Sequence, residues 1–237
     1  MNLKEEAAKQ ALALVRSGMT LGLGSGSTTA YFIDLLGEAV NSGRLEAILA
    51  VPTSERTADQ ARKLGIPLTS LGWLIEHRSS APLLDMAVDG ADEVDPQLNL
   101  IKGLGRALLR EKIIESHTNN FVVIVDESKL VPCLGSKVAL PVEILPFEAE
   151  AHVHWLNSLG CRAEIWREED GLPVVTDNGN NLALCRFERG IENPLSLARA
   201  LADRAGIIEH GLFLGMAKMV IVAGAEGIKM LRAEEVK

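Results

Sequence analysis

The chain has 237 residues, with 24 basic against 32 acidic side chains, a net charge of −8 and 47% hydrophobic residues. That length suits one large domain or a large one with a smaller companion, and the balance of apolar and charged residues is that of a folded chain. The acidic charge argues against the basic stripe of a nucleic-acid binder, and no apolar run reaches the ~18 residues of a membrane span.

The start, MNLKEEAAKQ, carries both charge signs and no apolar signal core, so a cytoplasmic protein is expected. Cys133, Cys161 and Cys185 are odd in number and widely spaced, which suits a reducing compartment and gives neither a disulfide framework nor a zinc pattern. Aromatics make up only 4%, so the core must be Ala, Val, Ile and Leu packed around 21 glycines.

Leu3, Ala7, Ala8, Ala11, Leu12 and Val15 recur at helical spacing and predict a first helix, stopped by Ser17-Gly18. A short run from Met19 to Leu23 enters a glycine-rich stretch, and TAYFIDLLGEAV reads as a second helix. EAILAVPT (46–53) reads as a buried strand, SERTADQARKLG (54–65) as a capped helix, and Ile66 to Leu71 as a short apolar piece. LLDMAVDGAD (83–92) reads as a strand running into an acidic loop, Gly105 to His117 as a helix, and FVVIVDES (121–128) as a buried strand. Strand and helix alternating in this way predict a parallel sheet with crossover helices.

Pro132, Pro141 and Pro146 then punctuate the chain, and this stiffened stretch is expected to bridge two units. Beyond it, 149–160 reads as a helix, 161–187 as short strands with a hairpin turn at Asn178-Gly179, and Pro194 to Ala205 as a helix. LFLGMAKMVIVAG (212–224) returns to buried strand character. The expected fold class is α/β: a Rossmann-like parallel-sheet domain from 1–135 and 207–237, with a smaller inserted α+β domain from 136–206.

Three segments carry chemistry. In GLGSGSTT (22–29), glycines between a strand and a helix let the backbone approach a ligand. The helix N-terminal amides and the hydroxyls of Ser25, Ser27, Thr28 and Thr29 would then face an anion such as phosphate. No GK[ST] follows, and Ser27 stands where a dinucleotide fingerprint has its third glycine, so a small phosphorylated metabolite is expected rather than a nucleotide. The alternative is a plain strand-to-helix turn.

In DGADEVD (89–95), Asp89 and Asp92 are separated by Gly90 and Ala91, small enough for a sharp turn at the C-terminal edge of the sheet, where ligands bind in open α/β folds. General acid–base work, hydroxyl recognition and a Mg²⁺ site remain open there, alongside a surface acidic turn. In KGLGRALLREKI (102–113), Lys102 precedes Gly103, Leu104 and an expected helix start at Gly105, a positive corner for a developing oxyanion. Glu111 falls on a partly apolar arc near Ala107, Leu108 and Ile114, and burial makes a carboxylate a better base. A surface carboxylate in an REK run is the ordinary alternative. Lys129 follows the strand FVVIVDES and could reach a phosphate or remain a solvated loop lysine. The five histidines form no H-E-x-x-H pattern and no G-x-S-x-G elbow is present, so no metal, cofactor or serine nucleophile is expected.

GLGSGSTT, VDGADEVD, KGLGRALLREKI and VDESK, in this order and spacing, closely resemble ribose-5-phosphate isomerases of the A type. The resemblance continues through LPVEILP (140–146), VTDNGN (175–180) and EHGLFLGMA (209–217). It implies a metal-independent aldose–ketose isomerase acting through a cis-enediol(ate), with no cofactor and a sugar phosphate as its small-molecule partner. It implies Glu111 as the base moving a proton between C1 and C2, Asp89 in ring opening, and Asp92 on sugar hydroxyls. Lys102 with the nearby glycine amides would stabilise the enediolate. Ser25, Gly26, Ser27 and Thr28 would cradle phosphate and sugar, Gly90, Ala91, Gly103, Leu104 and Gly105 would line the substrate, and Lys129 and Lys4 would add contacts. Leu104 stands where the family usually has glycine, so its side chain must point away. The resemblance further implies a homodimer or homotetramer, with no nucleic-acid or membrane partner. A non-catalytic sugar-phosphate sensor is the alternative, although only about twenty residues precede the phosphate loop, too few for a helix-turn-helix. A sugar-phosphate aminohydrolase is disfavoured because no histidine closely follows the acidic motif.

Overall fold

The computed structural model describes residues 2–78 and 81–233. In chain order the helices are α1 (Leu3–Leu12), α2 (Ser27–Asn41), α3 (Glu55–Lys63), α4 (Leu71–His77), α5 (Leu108–Glu115), α6 (Ala149–Asn157) and α7 (Pro194–Ala202). The first seven strands are β1 (Thr20–Leu23), β2 (Leu49–Pro52), β3 (Met86–Asp89), β4 (Glu93–Val94), β5 (Leu100–Ile101), β6 (Phe121–Asp126) and β7 (Leu140–Ile144). The remainder are β8 (Arg162–Ile165), β9 (Asn181–Arg186), β10 (Ile207–His210), β11 (Leu212–Phe213), β12 (Met219–Gly224) and β13 (Gly227–Arg232).

The chain divides into two compact units. Unit 1 comprises Met1–Gly90, Arg110–Ser128 and Met216–Lys237; unit 2 comprises Ala91–Leu109 and Lys129–Gly215. Contacts therefore place 91–109, 129–135 and 207–215 in unit 2, segments that the expected boundaries gave to the first domain.

Unit 1 is built on a six-stranded sheet of order β13-β12-β6-β3-β1-β2. Its neighbours run parallel except for the β12–β13 hairpin at one edge. The central strands read as unbroken apolar runs because both faces are covered. Helix α1 buries Ala7, Ala8 and Ala11 against β6 and β12, where methyl-sized side chains allow close approach. Phe32, Ile33 and Leu36 of α2 complete that core. The short apolar piece expected at 66–71 pairs only through Leu68 with Ala50, and α4, which the sequence reading missed, follows it.

Unit 2 contains a four-stranded antiparallel sheet of order β10-β7-β9-β8, with α6 and α7 packed against it. A small antiparallel sheet of order β11-β5-β4 accompanies it. The proline-punctuated stretch is not a bridge. Pro141 lies inside β7, an interior strand, one residue before pairing with β10 ends at Val142. The turn at Asn178-Gly179 is present, closed by the Thr176 N–H donating to Asn180 O. The run 212–224 splits: β11 joins the small sheet of unit 2 and β12 the parallel sheet of unit 1. Among the described residues no helix is long and apolar enough to cross a membrane.

Candidate active site

In unit 1 the C-terminal ends of β1 and β3 converge. Asp89, fully buried, closes β3. Its Oδ1 accepts the Ser25 N–H at 2.8 Å, the Gly90 N–H at 2.7 Å and the Thr29 hydroxyl at 2.9 Å. Gly24 makes this possible, since a Cβ there would sit 2.0 Å from the Asp89 carboxyl carbon. The same loop collects hydroxyls. Ser25 Oγ lies 2.8 Å from Thr53 Oγ1 and 2.9 Å from Ser54 Oγ. Ser54 caps α3 by accepting the Thr57 N–H, and Thr57 Oγ1 donates to Gly24 O.

Gly26 is the N-cap residue of α2, with φ +108, and offers no side-chain cap. The first-turn amides of α2 therefore carry the partial positive charge that attracts an anion. Lys4 Nζ donates to Ser27 Oγ at 2.8 Å and brings a cation to that helix start. Glu111 is on α5 and 3% exposed. Its neighbour Ile114 packs in a small cluster with Val51, Leu74 and Leu84.

In unit 2, Asp92 and Leu104 come together: the Leu104 N–H donates to Asp92 Oδ2 at 3.0 Å, and the Asp92 N–H donates to Ile101 O. Lys102 follows β5 and is 2% exposed. Its N–H donates to Gly211 O, and its ammonium lies 5.3 Å from the centre of the Phe213 ring. Gly211 is required there because a Cβ would approach Lys102 O to 2.2 Å. Gly103 has φ +109, while Gly105 faces open space. The helix expected from Gly105 begins only at Leu108. A turn from Gly103 to Arg106, with Arg106 at φ +69, breaks helical geometry before it. Lys102 therefore lies just past β5, six residues ahead of α5 in sequence.

Ala91 begins unit 2 directly after Gly90, so the chain passes between units inside the acidic motif. Among the described residues, Thr28 and Lys129 make no side-chain hydrogen bond or ion pair; Lys129 closes a short 3₁₀ turn after β6. The sequence reading missed Thr53, Ser54 and Thr57, whose only local signal was the Ser54 cap. Thr29 was read as one hydroxyl among several, and the structure assigns it to Asp89.

Residues 49–227 match the family model described as ribose 5-phosphate isomerase A (phosphoriboisomerase A). The chain is 46% identical over 233 residues to a probable ribose-5-phosphate isomerase 2 of Arabidopsis thaliana, covering 96% of this chain and 85% of that one. It is 43% identical over 231 residues to ribose-5-phosphate isomerase A of Desulfatibacillum aliphaticivorans, covering 98% and 97%. A solved D-ribose-5-phosphate isomerase in complex with phospho-erythronic acid superposes with TM-score 0.91 at 44% identity, over 98% of this chain and all 100% of that one. The Plasmodium falciparum ribose 5-phosphate isomerase gives TM-score 0.90 at 37% identity, over 97% of each chain.

Proposed function

The chain belongs to the ribose 5-phosphate isomerase A family and is an aldose–ketose isomerase, and we propose that it interconverts ribose 5-phosphate and ribulose 5-phosphate by metal-independent proton transfer. The observation that supports this most strongly is the cradle around Asp89 beside the N-terminus of α2, which sets a fixed carboxylate next to an anion-binding helix start. Asp89 assists opening of the furanose ring. Glu111 takes the C2 proton of the open-chain aldose, and the electron pair passes into a cis-enediolate. The same carboxyl returns a proton to C1, while the hydroxyl proton moves from O2 to O1, so no atom or electron is gained or lost. The Lys102 ammonium and the adjacent amides offset the charge that develops on oxygen. Asp92 holds sugar hydroxyls.

The N-terminal amides of α2, with Gly26, Ser27, Thr28 and Lys4, hold the phosphate, and Lys129 adds a further contact. Binding energy from that remote group positions the reacting carbons. Glu111 is buried, so bulk water is largely kept from its carboxylate. Phospho-erythronic acid, the compound bound to the solved relative, has one carbon fewer than the substrate. Its carboxylate would imitate the two oxygens of the enediolate, so it is also expected to inhibit this chain. The proposal extends to a homodimer or homotetramer in the cytoplasm. Phe147, Leu172 and Val175 of unit 2 are exposed apolar side chains that a second copy could cover.

The test is turnover of ribose 5-phosphate in the presence of EDTA, for the parent and for Glu111→Gln. Loss of a general base lowers kcat by about 10²–10⁴-fold. Parental turnover in the variant would remove Glu111 from that role. Binding of sugar phosphate by the parent without turnover would restore the sensor reading.

A further inference from the structure

The Gly103–Arg106 turn holds a residue that its backbone does not favour. Arg106 has φ +69, the left-handed region that glycine enters freely and that a side chain disfavours. Its N–H donates to Gly103 O at 2.9 Å and closes the turn. The side chain leaves the turn for the segment after β8. There its guanidinium lies 5.0 Å from the centre of the Trp166 ring and forks onto both carboxylate oxygens of Glu168, the longer contact being 2.9 Å.

That segment is itself anchored. The Trp166 N–H donates to Leu182 O and the Val174 N–H to Trp166 O. Glu168 sits in a tight turn, its N–H donating to Leu172 O and its carbonyl accepting the Gly171 N–H. Leu108, at the start of α5, packs with Val174 and Leu182 and ties the far end of the turn to the same segment.

We infer that Arg106, gripped by Glu168 and Trp166, is a positioning residue that holds the 102–105 loop in its working shape. This rests on the isomerase reading, in which that loop presents Lys102 and the Leu104 amide that fixes Asp92. Two glycines, Gly103 and Gly105, stand within those four residues, and glycine leaves a chain its greatest conformational freedom. Ahead of them, the Lys102 N–H is pinned to Gly211 O. Within the loop the Leu104–Asp92 bond, the turn's own hydrogen bond and the Arg106 clasp do the holding. The clasp ties the loop to the segment after β8.

The half-exposed Arg106–Glu168 pair can add little to global stability. A planar fork stacked on an aromatic ring, in contrast, fixes orientation closely. The two roles therefore separate in experiment: the clasp should act on turnover far more than on melting.

The experiment measures kcat, KM and Tm on the full chain with ribose 5-phosphate for Arg106→Gly, Arg106→Lys, Glu168→Gln and the Arg106→Gly/Glu168→Gln pair. Arg106→Gly removes the clasp while relieving the backbone, so a fold defect is not expected. Small misplacements of catalytic groups reduce rates by up to about 10²-fold, and a loosened loop should lower kcat by roughly 3–30-fold. KM should stay within about twofold and Tm within a few degrees. Arg106→Lys keeps the charge without the fork and should recover only part of the loss. The double variant should be no worse than the worse single one, because both break one contact. The inference is overturned if an active parent and its single variants share the same kcat, if the two losses multiply, or if kcat falls only in step with Tm. A parent that binds but does not turn over ribose 5-phosphate instead overturns the isomerase reading and, with it, the role given to this loop.

Discussion

Gly24→Ala is the sharpest probe of how Asp89 is held. The Gly24 N–H donates to Val88 O at 2.9 Å, so the backbone at this point is tied to β3 and cannot retreat freely. A Cβ built on Gly24 would lie 2.0 Å from Asp89 Cγ, 2.1 Å from Oδ1 and 2.3 Å from Asp89 Cβ. Ordinary carbon contacts begin at about 3.4 Å, so the carboxyl must shift by more than an ångström. Such a shift breaks or stretches the bonds from the Ser25 N–H, the Gly90 N–H and the Thr29 hydroxyl. Hydrogen bonds to a charged group contribute about 1.5–3 kcal/mol each, and partial relaxation returns some of that loss. Overpacking by one methyl typically costs ~1–3 kcal/mol, so about 3 kcal/mol is expected here. At roughly 2–4 °C per kcal/mol for a chain of this size, Tm should fall by roughly 6–12 °C. Displacement of a reacting group by this distance should lower kcat about 10²-fold. The assay pairs ribulose 5-phosphate formation with thermal unfolding. Gly105→Ala serves as the control, because nothing lies within 4 Å of its Cβ and, like Gly24, it has no positive φ, so it should lose less stability. If Gly24→Ala melted and turned over like the parent, the claim that this glycine wall fixes Asp89 would be wrong.

Two further outcomes follow from other sites. Glu93 is fully buried and accepts the N–H groups of Gly135, Lys137 and Val138. In Glu93→Gln an amide NH₂ must face one of those donors, so unfolding in urea should show a loss of about 2–4 kcal/mol, and an unchanged midpoint would refute the nest. Cys161 is half-buried, whereas Cys185 is buried, and burial pushes its thiol up. Cys161 should therefore be alkylated by iodoacetamide before Cys185, read by peptide mass spectrometry; equal rates would contradict the difference in burial.

What the sequence made legible was local. Strand-to-helix glycines and the apolar runs at 19–23, 83–92 and 121–128 predict the parallel sheet, and DGAD falls at a strand end because its carboxylates follow an apolar run. The partners of Asp89 were not legible, since Ser25 and Thr29 lie 64 and 60 residues away and meet it only once β1 and β3 pair. Strands of two residues, such as β4, β5 and β11, are too short for any alternation to register. Pro141 misled because proline is read as a strand breaker, whereas on the β10 side it serves as an acceptor only, its carbonyl taking the Gly211 N–H just past β10. The start of α5 was placed too early because REK and its neighbours favour helix, and nothing in the sequence announces an arginine with positive φ. That same arginine is where the local rule fails and where a tertiary contact compensates, as expected near a functional loop.

The buried carboxylates show how an acidic chain can handle an anion. Asp89 and Glu93 each accept at least two backbone N–H groups, and Glu143, fully buried in β7, gathers Thr176, Asn178 and Asn180 on one oxygen. A net charge of −8 gives no long-range attraction for a phosphorylated sugar. Neutral donors do not depend on that sign, since an oriented N–H binds an anion by its dipole and is already in place before the anion arrives. The first turn of α2 offers the proposed phosphate the kind of donor set that Asp89 already occupies one loop away, with Lys4 as the added cation. Under the proposed function the chain would bind its own carboxylates and a phosphate by one device, supplemented by Lys4, while the Lys102 charge would meet the oxygen on which charge develops during the reaction.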